Sequence, residues 1–146
     1  MYASYEYYNS EYMGAPMSEE EYSRAVKKAG QYLDYYTMGR AKDSKGLEAL
    51  SMACCALAEQ YFEIDTLLNK ARESAQNEII TKKKSETVGS YSVTYQSAEE
   101  VSKAAYERAE ELKKKLPEIV KLYLSGTGLL YRGGGCGVCA SYRNGI

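Results

Sequence analysis

Most of the chain follows the hydrophobic pattern of amphipathic helices. The first such segment begins at Ser18 and Glu21, which have the spacing of a capping box, and ends at Gly39 and Arg40. Its apolar positions recur at helical spacing, and they are Tyr22, Ala25, Val26, Ala29, Tyr32, Leu33 and Tyr36. This pattern predicts a helix with one buried face, and the acidic residues of its first turn favour the helix dipole.

A second, longer helix is predicted from about Lys45 to about Gln76. Its apolar stripe consists of Leu47, Leu50, Cys54, Leu57, Ala58, Tyr61, Ile64, Leu67 and Leu68. Small side chains beside the stripe allow other helices to approach closely, and they are Ala49, Ala53, Cys55 and Ala56. We therefore expect this helix to form the centre of the core, and either to bend or to project from the body because of its length.

A third helix is predicted to begin at a second capping box, Ser97 to Glu100. Its apolar positions are Val101, Ala104, Ala105, Ala109, Leu112 and Leu116. Because proline lacks an N–H group and clashes with the preceding turn, we expect Pro117 to break or restart the helix. A short final helix over residues 117–124 would follow, with proline in its first turn.

The pattern changes from helical to strand-like between the second and third helices. Tyr91, Val93 and Tyr95 alternate with hydroxyl-bearing residues, as in a strand with one apolar face, and Gly89 precedes them at a position suited to a turn or bulge. We expect a protruding loop or β-hairpin over residues 77–96. An unpaired strand favours the addition of a strand from a second molecule. A disordered surface loop is the alternative.

Both ends of the chain lack helical periodicity. Residues 1–17 are rich in tyrosine, and this composition suits either a disordered terminus or an arm that orders on a neighbouring subunit. Residues 126–146 contain a run of three glycines, preceded by Leu129, Leu130, Tyr131 and Arg132. Such a compact apolar and cationic cluster is typical of a docking peptide.

These segments predict a mainly α fold in one domain. The predicted fold is a bundle of three long helices plus a short C-terminal helix, with the extended loop or hairpin between the second and third long helices and flexible arms at the termini. Residues 1–17 would be the tyrosine-rich arm, residues 18–125 the helical domain with its loop at 77–96, and residues 126–146 the docking tail. A chain of 146 residues is long enough to bury a core.

Composition narrows the classes of function. The net charge of −1 argues against a surface built entirely for nucleic acid, and no apolar run is long enough to cross a membrane. Without a signal peptide pattern, the expected location is the cytoplasm. Sixteen tyrosines and no tryptophan suit protein interfaces, although compositional bias explains them equally well. The absence of histidine makes acid–base catalysis less favourable.

One stretch resembles a known family. Glu86-Thr87-Val88-Gly89-Ser90-Tyr91-Ser92-Val93-Thr94-Tyr95 is similar to the Ser-Glu-x-x-Gly-(Asp/Ser)-Tyr-Ser-Val-x-Tyr stretch of small head-tail connector proteins of tailed bacteriophages and prophages, also called adaptor or head completion proteins. The likeness extends to the order of helices and to Tyr131-Arg132-Gly133, so it covers most of residues 18–133. It contains no catalytic motif.

The resemblance implies a structural virion protein at the phage neck, assembled in the host bacterial cytoplasm. It implies a homo-oligomeric ring of twelve copies, bound to the portal protein and to a stopper or tail-completion protein, with packaged DNA passing through the lumen. The loop would contact the next neck component or an adjacent subunit through Val88, Gly89, Tyr91, Val93 and Tyr95. The tail residues Leu129, Leu130, Tyr131 and Arg132 would face the portal, and Lys82, Lys83 and Lys84 could face the DNA.

Other chemistry receives weaker support from the sequence. Cys136 and Cys139 have the two-residue gap of a zinc or redox pair, but Cys54 and Cys55 are the only further cysteines and adjoin each other on a predicted helix. We expect free thiols, and no catalytic residue, cofactor or metal. Lys82, Lys83 and Lys84 also suit a plain solvated face. A small helical DNA-binding or regulatory protein is the alternative function.

Overall fold

The computed structural model describes residues 1–15, 17–84 and 98–131, and of residues 77–84 and 98 only the backbone. This part of the chain is mainly helical and contains no β-strand, which confirms the mainly α part of the predicted fold. The elements are α1 (Tyr5–Ser10), α2 (Glu19–Tyr36), a 3₁₀ helix (Arg40–Ser44), α3 (Glu48–Lys84) and α4 (Ala98–Leu124). Helix α3 packs against both α2 and α4.

Helix α2 begins and ends as its sequence predicts. The Ser18 hydroxyl accepts from the Glu21 amide at 3.3 Å, and the Glu21 carboxylate accepts from the Ser18 amide at 2.9 Å, which completes the capping box. The side-chain hydroxyl of Thr37, just after the helix, donates to the Leu33 carbonyl at 2.7 Å. Gly39 follows with a φ of 81°, a left-handed conformation that glycine adopts without cost. The buried residues of α2 are Tyr22, Ala25, Val26, Ala29 and Leu33.

Helix α3 supplies the centre of the core. Its fully buried residues are Leu50, Ala53, Cys54, Cys55, Leu57 and Ala58. The helix runs on to Lys84, so the prediction that a loop begins at Asn77 was wrong. No glycine or proline interrupts residues 77–84, and lysines in the last turn favour the helix dipole.

Helix α4 is continuous across Pro117, and the prediction of a separate C-terminal helix was therefore wrong. A proline inside a helix removes one backbone hydrogen bond and clashes with the carbonyl four residues earlier. Leu116, Val120 and Leu124 are buried on one stripe that spans the proline. Burial of each of these side chains stabilises the fold by about 1.5–3 kcal/mol, and this offsets the cost of a proline inside the helix.

The N-terminal segment packs against the helical body, whereas the sequence suggested an arm outside it. Tyr2, Ala3, Tyr8 and Met17 are buried in the same cluster as the core residues of α2 and α3. Short helix α1 is capped by Ser4, whose hydroxyl accepts from the Tyr7 amide at 3.1 Å. Residues 1–15 therefore belong to the fold of the body.

The α3–α4 pair extends beyond the end of α2. The two helices are antiparallel, since Ile64 packs with Ala109 and Leu112, while the Ser102 hydroxyl donates to the Ala71 carbonyl at 3.1 Å. Helix α3, with 37 residues, is about 55 Å long, whereas α2, with 18 residues, is about 27 Å long. The far part of the α3–α4 hairpin therefore lies outside the three-helix part of the body.

Candidate functional site

The residues predicted for the loop contact are not among those that the structure describes. Val88, Gly89, Tyr91, Val93 and Tyr95 lie outside the described residues, as does Ser97 of the second predicted capping box. Lys82, Lys83 and Lys84 form the last residues of α3, and their side chains also lie outside what the structure describes. These residues therefore remain predictions from the sequence.

The predicted docking tail is divided between core and surface. Leu129 is buried in the main core, and Leu130 packs against the same cluster, so neither is free to dock as predicted. A turn at Gly128 comes directly before these two leucines. Its φ of 77° is in the left-handed region that glycine adopts without cost. Tyr131 is 65% exposed, and Arg132 lies outside the described residues, so a docking role for these two residues stays a prediction.

A carboxylate of α3 binds the N-terminal segment. Glu59 accepts hydrogen bonds from the Tyr8 hydroxyl at 3.1 Å, the Tyr12 hydroxyl at 3.0 Å and the Ala15 amide at 2.9 Å. Burial and the nearby Glu59 carboxylate raise the pKa of Tyr8 and of Tyr12. Both tyrosines therefore stay neutral and act as donors. We call residues 1–15, held in this way, the N-terminal strap.

Tyrosine rings form the apolar part of this contact. The Tyr8 ring lies 4.7 Å from the Tyr22 ring and 5.7 Å from the Tyr12 ring, measured between centroids. Tyr8 is also close to Gly14, where a Cβ atom would lie 2.1 Å from its ring. Only a residue without a side chain fits at position 14 with this arrangement.

The strap has a second anchor near its start. The Tyr2 hydroxyl donates to the Asp34 carboxylate of α2, and the Ser51 hydroxyl of α3 donates to the Tyr2 carbonyl at 2.7 Å. Burial, followed by the hydrogen bond to Asp34, raises the pKa of Tyr2. One end of the strap therefore joins α2 and α3 directly.

Two buried thiols lie in the core that the strap packs against. Cys54 and Cys55 are both free and buried. Burial raises the pKa of Cys54 to about 12 and that of Cys55 to about 11. The Cys55 sulfur lies 3.6 Å from the Tyr22 hydroxyl. Thiols with raised pKa values are poor nucleophiles near neutral pH, so both side chains serve as core residues. Cys136 and Cys139 lie outside the described residues.

Exposed apolar residues gather where α2 turns into α3. Tyr35 is 81% exposed and Met38 is 65% exposed, and Arg40 links this turn to Tyr131 by donating through Nη1 to its carbonyl oxygen. We call Tyr35, Met38, Arg40 and Tyr131 the end surface. Sequence periodicity did not single out Tyr35, Met38 or Arg40, because they follow the last buried turn of α2.

A second exposed feature is a groove along the side of α3 and α4. It has a volume of about 530 Å³ and is lined by Gln60, Glu63, Arg108, Leu112, Lys115, Glu118, Ile119 and Leu122. Leu122, at its edge, is 75% exposed, and charges of both signs surround it. We call this feature the side groove. Its mixture of an exposed leucine and charged groups is more typical of a protein contact than of a small-molecule site.

The described residues contain neither a candidate metal site nor a candidate membrane span. In residues 1–15, 17–84 and 98–131, the side chains described include no group of three or more His, Cys, Asp or Glu that could hold a metal ion. Among the described helices, none is both long and apolar enough to cross a membrane. Comparisons of the chain with protein families, with curated proteins and with solved structures returned no match.

Proposed function

We propose that this protein is a non-enzymatic ring subunit in the neck of a tailed phage or prophage particle. In this proposal the ring joins the capsid portal to the stopper or tail, helps to retain packaged DNA, and assembles in the host cytoplasm. The proposal begins from the resemblance of Glu86 to Tyr95 to the head-tail connector proteins. A helical body with several exposed apolar residues is compatible with it.

The observation that carries the proposal is the length of α3. This helix runs about 55 Å between the α2–α3 turn and Lys84. Residues 85–97, which contain the resembling stretch Glu86 to Tyr95, connect α3 to α4 at one end, and Tyr131 lies with Arg40 at the other. An adaptor contacts one component at each end, and this chain has candidate contact residues at both.

We further propose that the three long helices form the body of each subunit and that residues 85–97 contribute an extended segment or hairpin. Tyr91, Val93 and Tyr95 would then add a strand to the next neck component or to an adjacent subunit. Lys82, Lys83 and Lys84 would be repeated by every copy around a lumen through which DNA passes. The end surface would meet the portal.

Closure of a ring requires two different patches on each subunit, because each copy binds its neighbours head to tail. We propose the side groove as one of these patches. Leu122 would supply an apolar anchor, and Glu63, Arg108, Lys115 and Glu118 would supply a charged rim. Twelve copies are the number that the resemblance implies.

The test is the mass of the full-length protein in solution, alone and after mixing with purified portal protein from the same phage or prophage. A large assembly of about twelve copies, formed only with portal, would support the proposal. A protein whose mass is indifferent to portal would refute it. Titration with duplex DNA at two salt concentrations checks the rival function, because phosphate binding weakens steeply as salt rises.

A further inference from the structure

One exposed residue, Met13, separates the part of the N-terminal strap that packs on the helices from the part that leads into α2. Residues 1–12 form hydrogen bonds with Asp34 of α2 and with Ser51 and Glu59 of α3. Close packing of tyrosine rings accompanies these bonds, and such a composition is typical of a contact between two proteins. The strap is therefore held by groups that a second copy of this chain also carries.

The backbone at Met13 is unfavourable for the residue that occupies it. Its φ of 52° lies in the left-handed region, which a residue with a side chain adopts only at a cost. The Met13 side chain is 81% exposed, and no group in the described part of the chain forms a hydrogen bond with this residue. Neither burial nor bonding of Met13 itself offsets the cost. The strained conformation persists because residues 1–12 are bound on the helices of their own chain.

The contacts of residues 1–12 can all be formed by a strap from another copy. Within one chain, the strap also meets residues on the far side of Met13; for example, the Tyr5 hydroxyl donates to the Met17 carbonyl at 2.7 Å. If two copies exchanged straps, these far-side groups would stay in place on each body and would bind the same groups of the incoming strap. Only the backbone near Met13 would have to change, and it could then take an ordinary extended conformation.

We infer that copies of this chain exchange their N-terminal straps, so that residues 1–12 of one copy bind α2 and α3 of a neighbour. A short connection under strain favours such exchange, because release of the strain distinguishes two otherwise equivalent sets of contacts. In a ring, each copy gives its strap to one neighbour and receives a strap from the other. The inference goes beyond the proposed function and requires no portal, since it concerns two copies of this chain alone.

The covalent connection of each strap to its own body opposes the exchange. A segment joined to its binding site by a short connection has an effective concentration on the order of millimolar at that site. Strain at Met13 reduces this advantage, and assembly raises the concentration of neighbouring bodies around each strap. The fraction of exchanged straps should therefore increase with protein concentration.

The experiment traps each strap on the body to which it is bound. Tyr12 of the full-length protein is replaced by photo-reactive benzoylphenylalanine, because the Tyr12 hydroxyl lies 3.0 Å from Glu59 of α3. Isotope-labelled and unlabelled proteins are mixed equally in urea, refolded together at concentrations up to about 1 mM, and irradiated. Refolding together prevents slow release of the strap from hiding the exchange. Mass spectrometry distinguishes cross-links within one chain from mixed cross-links between two, and complete exchange makes half of the strap–α3 cross-links mixed.

With methionine at position 13, the mixed fraction should rise with protein concentration. Met13→Gly removes the strain of the unexchanged connection and should lower the mixed fraction about tenfold. Met13→Pro cannot adopt a φ of 52°, because proline fixes φ near −65°, and should raise the mixed fraction towards one half. Circular dichroism checks that each variant is folded.

Benzoylphenylalanine at Tyr32 is the matched control, because the Tyr32 ring of α2 faces the Tyr61 ring of α3 within the body. Its cross-links should stay within one chain for every residue at position 13. The inference is overturned if wild-type Met13 gives no mixed cross-links from Tyr12, or gives as many as Met13→Gly, whatever the proline variant does. Equal mixed fractions from Tyr12 and Tyr32 would indicate contact between whole bodies and would also overturn it. None of these results depends on portal, so the proposed function is tested separately.

Discussion

The Tyr12 hydroxyl donates a hydrogen bond of 3.0 Å to Oε2 of Glu59, and so joins the start of the chain to the middle of α3. The same carboxylate accepts from Tyr8 and from the Ala15 amide. One acidic side chain thus holds three groups of the N-terminal strap. A carboxylate is well suited to this role because it accepts several hydrogen bonds and donates none.

Replacement of Glu59 by glutamine should loosen the strap. The amide keeps one acceptor oxygen but loses the charge and brings an NH₂ group towards hydroxyl and amide donors. We expect a loss of about 1–3 kcal/mol in the free energy of unfolding, since hydrogen bonds to charged groups are worth more than neutral ones. Urea titration followed by circular dichroism measures it. Glu63→Gln, one turn later on an exposed position, should change stability by no more than about 0.5 kcal/mol. Equal effects at the two positions would contradict the assignment.

Gly14→Ala should destabilise the protein strongly. The new Cβ atom would lie 2.1 Å from Cε2 of the buried Tyr8 ring, and the ring would have to leave its place among Tyr5, Tyr12 and Tyr22. Overpacking of this kind costs about 1–3 kcal/mol. The control is Gly46→Ala, where a Cβ atom meets nothing within 4 Å. Thermal denaturation measures the melting temperatures of the two variants. If Gly14→Ala is as stable as Gly46→Ala, the strap does not pack as described.

The free energy of unfolding should fall as the pH rises above about 9. Burial raises the pKa of Cys54 to about 12 and of Cys55 to about 11, above the ordinary thiol value of about 8.5. Above about pH 9 the unfolded chain therefore releases protons that the folded chain retains, so the free energy of unfolding decreases as pH rises. Each such proton contributes a slope of about 1.4 kcal/mol per pH unit.

Urea titrations at intervals from pH 7 to about pH 9.5 test this dependence, since in this range the ordinary tyrosine pKa of about 10 leaves most tyrosines of the unfolded chain protonated. The wild type should show a flat profile that turns downward near pH 9. Cys54→Ala with Cys55→Ala should lose much of the decline, although its stability at pH 7 will also be lower. If the free energy of unfolding falls with pH equally in the wild type and the double variant, the thiols are not the origin of the decline.

Pro117→Ala should stabilise the protein. Proline in a helix interior costs about 3 kcal/mol relative to alanine. Alanine also gives the unfolded chain more conformational freedom, which reduces the gain from the substitution by about 0.4–1 kcal/mol. We expect a net gain of about 2 kcal/mol or slightly more, because α4 is helical on both sides of the proline. Differential scanning calorimetry would detect it as a higher melting temperature. A lower melting temperature would indicate that the proline ring itself packs favourably.

Local patterns were sufficient to predict α2. Its capping box lies within four consecutive residues, and its buried face repeats at helical spacing, so nearby residues contain all the information needed. The same reasoning failed at Pro117, where burial of Leu116, Val120 and Leu124 outweighs the local preference of proline. It also ended α3 too early, at a point where no residue breaks the helix.

The strap and the end surface could not be predicted in this way. The tyrosines of the strap have neither helical nor strand periodicity, because their positions are set by Glu59, a residue more than forty positions later in the chain. Arg40 is joined to the Tyr131 carbonyl across 91 positions. Tyr131 was identified as a candidate contact, but its connection to the α2–α3 turn depends on the tertiary fold.

The strand-like stretch provides the last prediction. Tyr91 and Val93 occupy one side of the alternating pattern and Ser92 and Thr94 the other, so aspartate should be harmful on the first side and tolerated on the second. The double variant Tyr91→Asp, Val93→Asp should keep the helical signal of the wild type, because the described helices α3 (Glu48–Lys84) and α4 (Ala98–Leu124) contain neither residue. Its yield of assembled necks should fall at least tenfold, since a charged group at a strand contact would have to be desolvated. Ser92→Asp with Thr94→Asp adds the same charge and should assemble normally. If both double variants assemble equally, whether well or poorly, the alternation is not the basis of the contact, and strand addition through Tyr91 to Tyr95 is refuted.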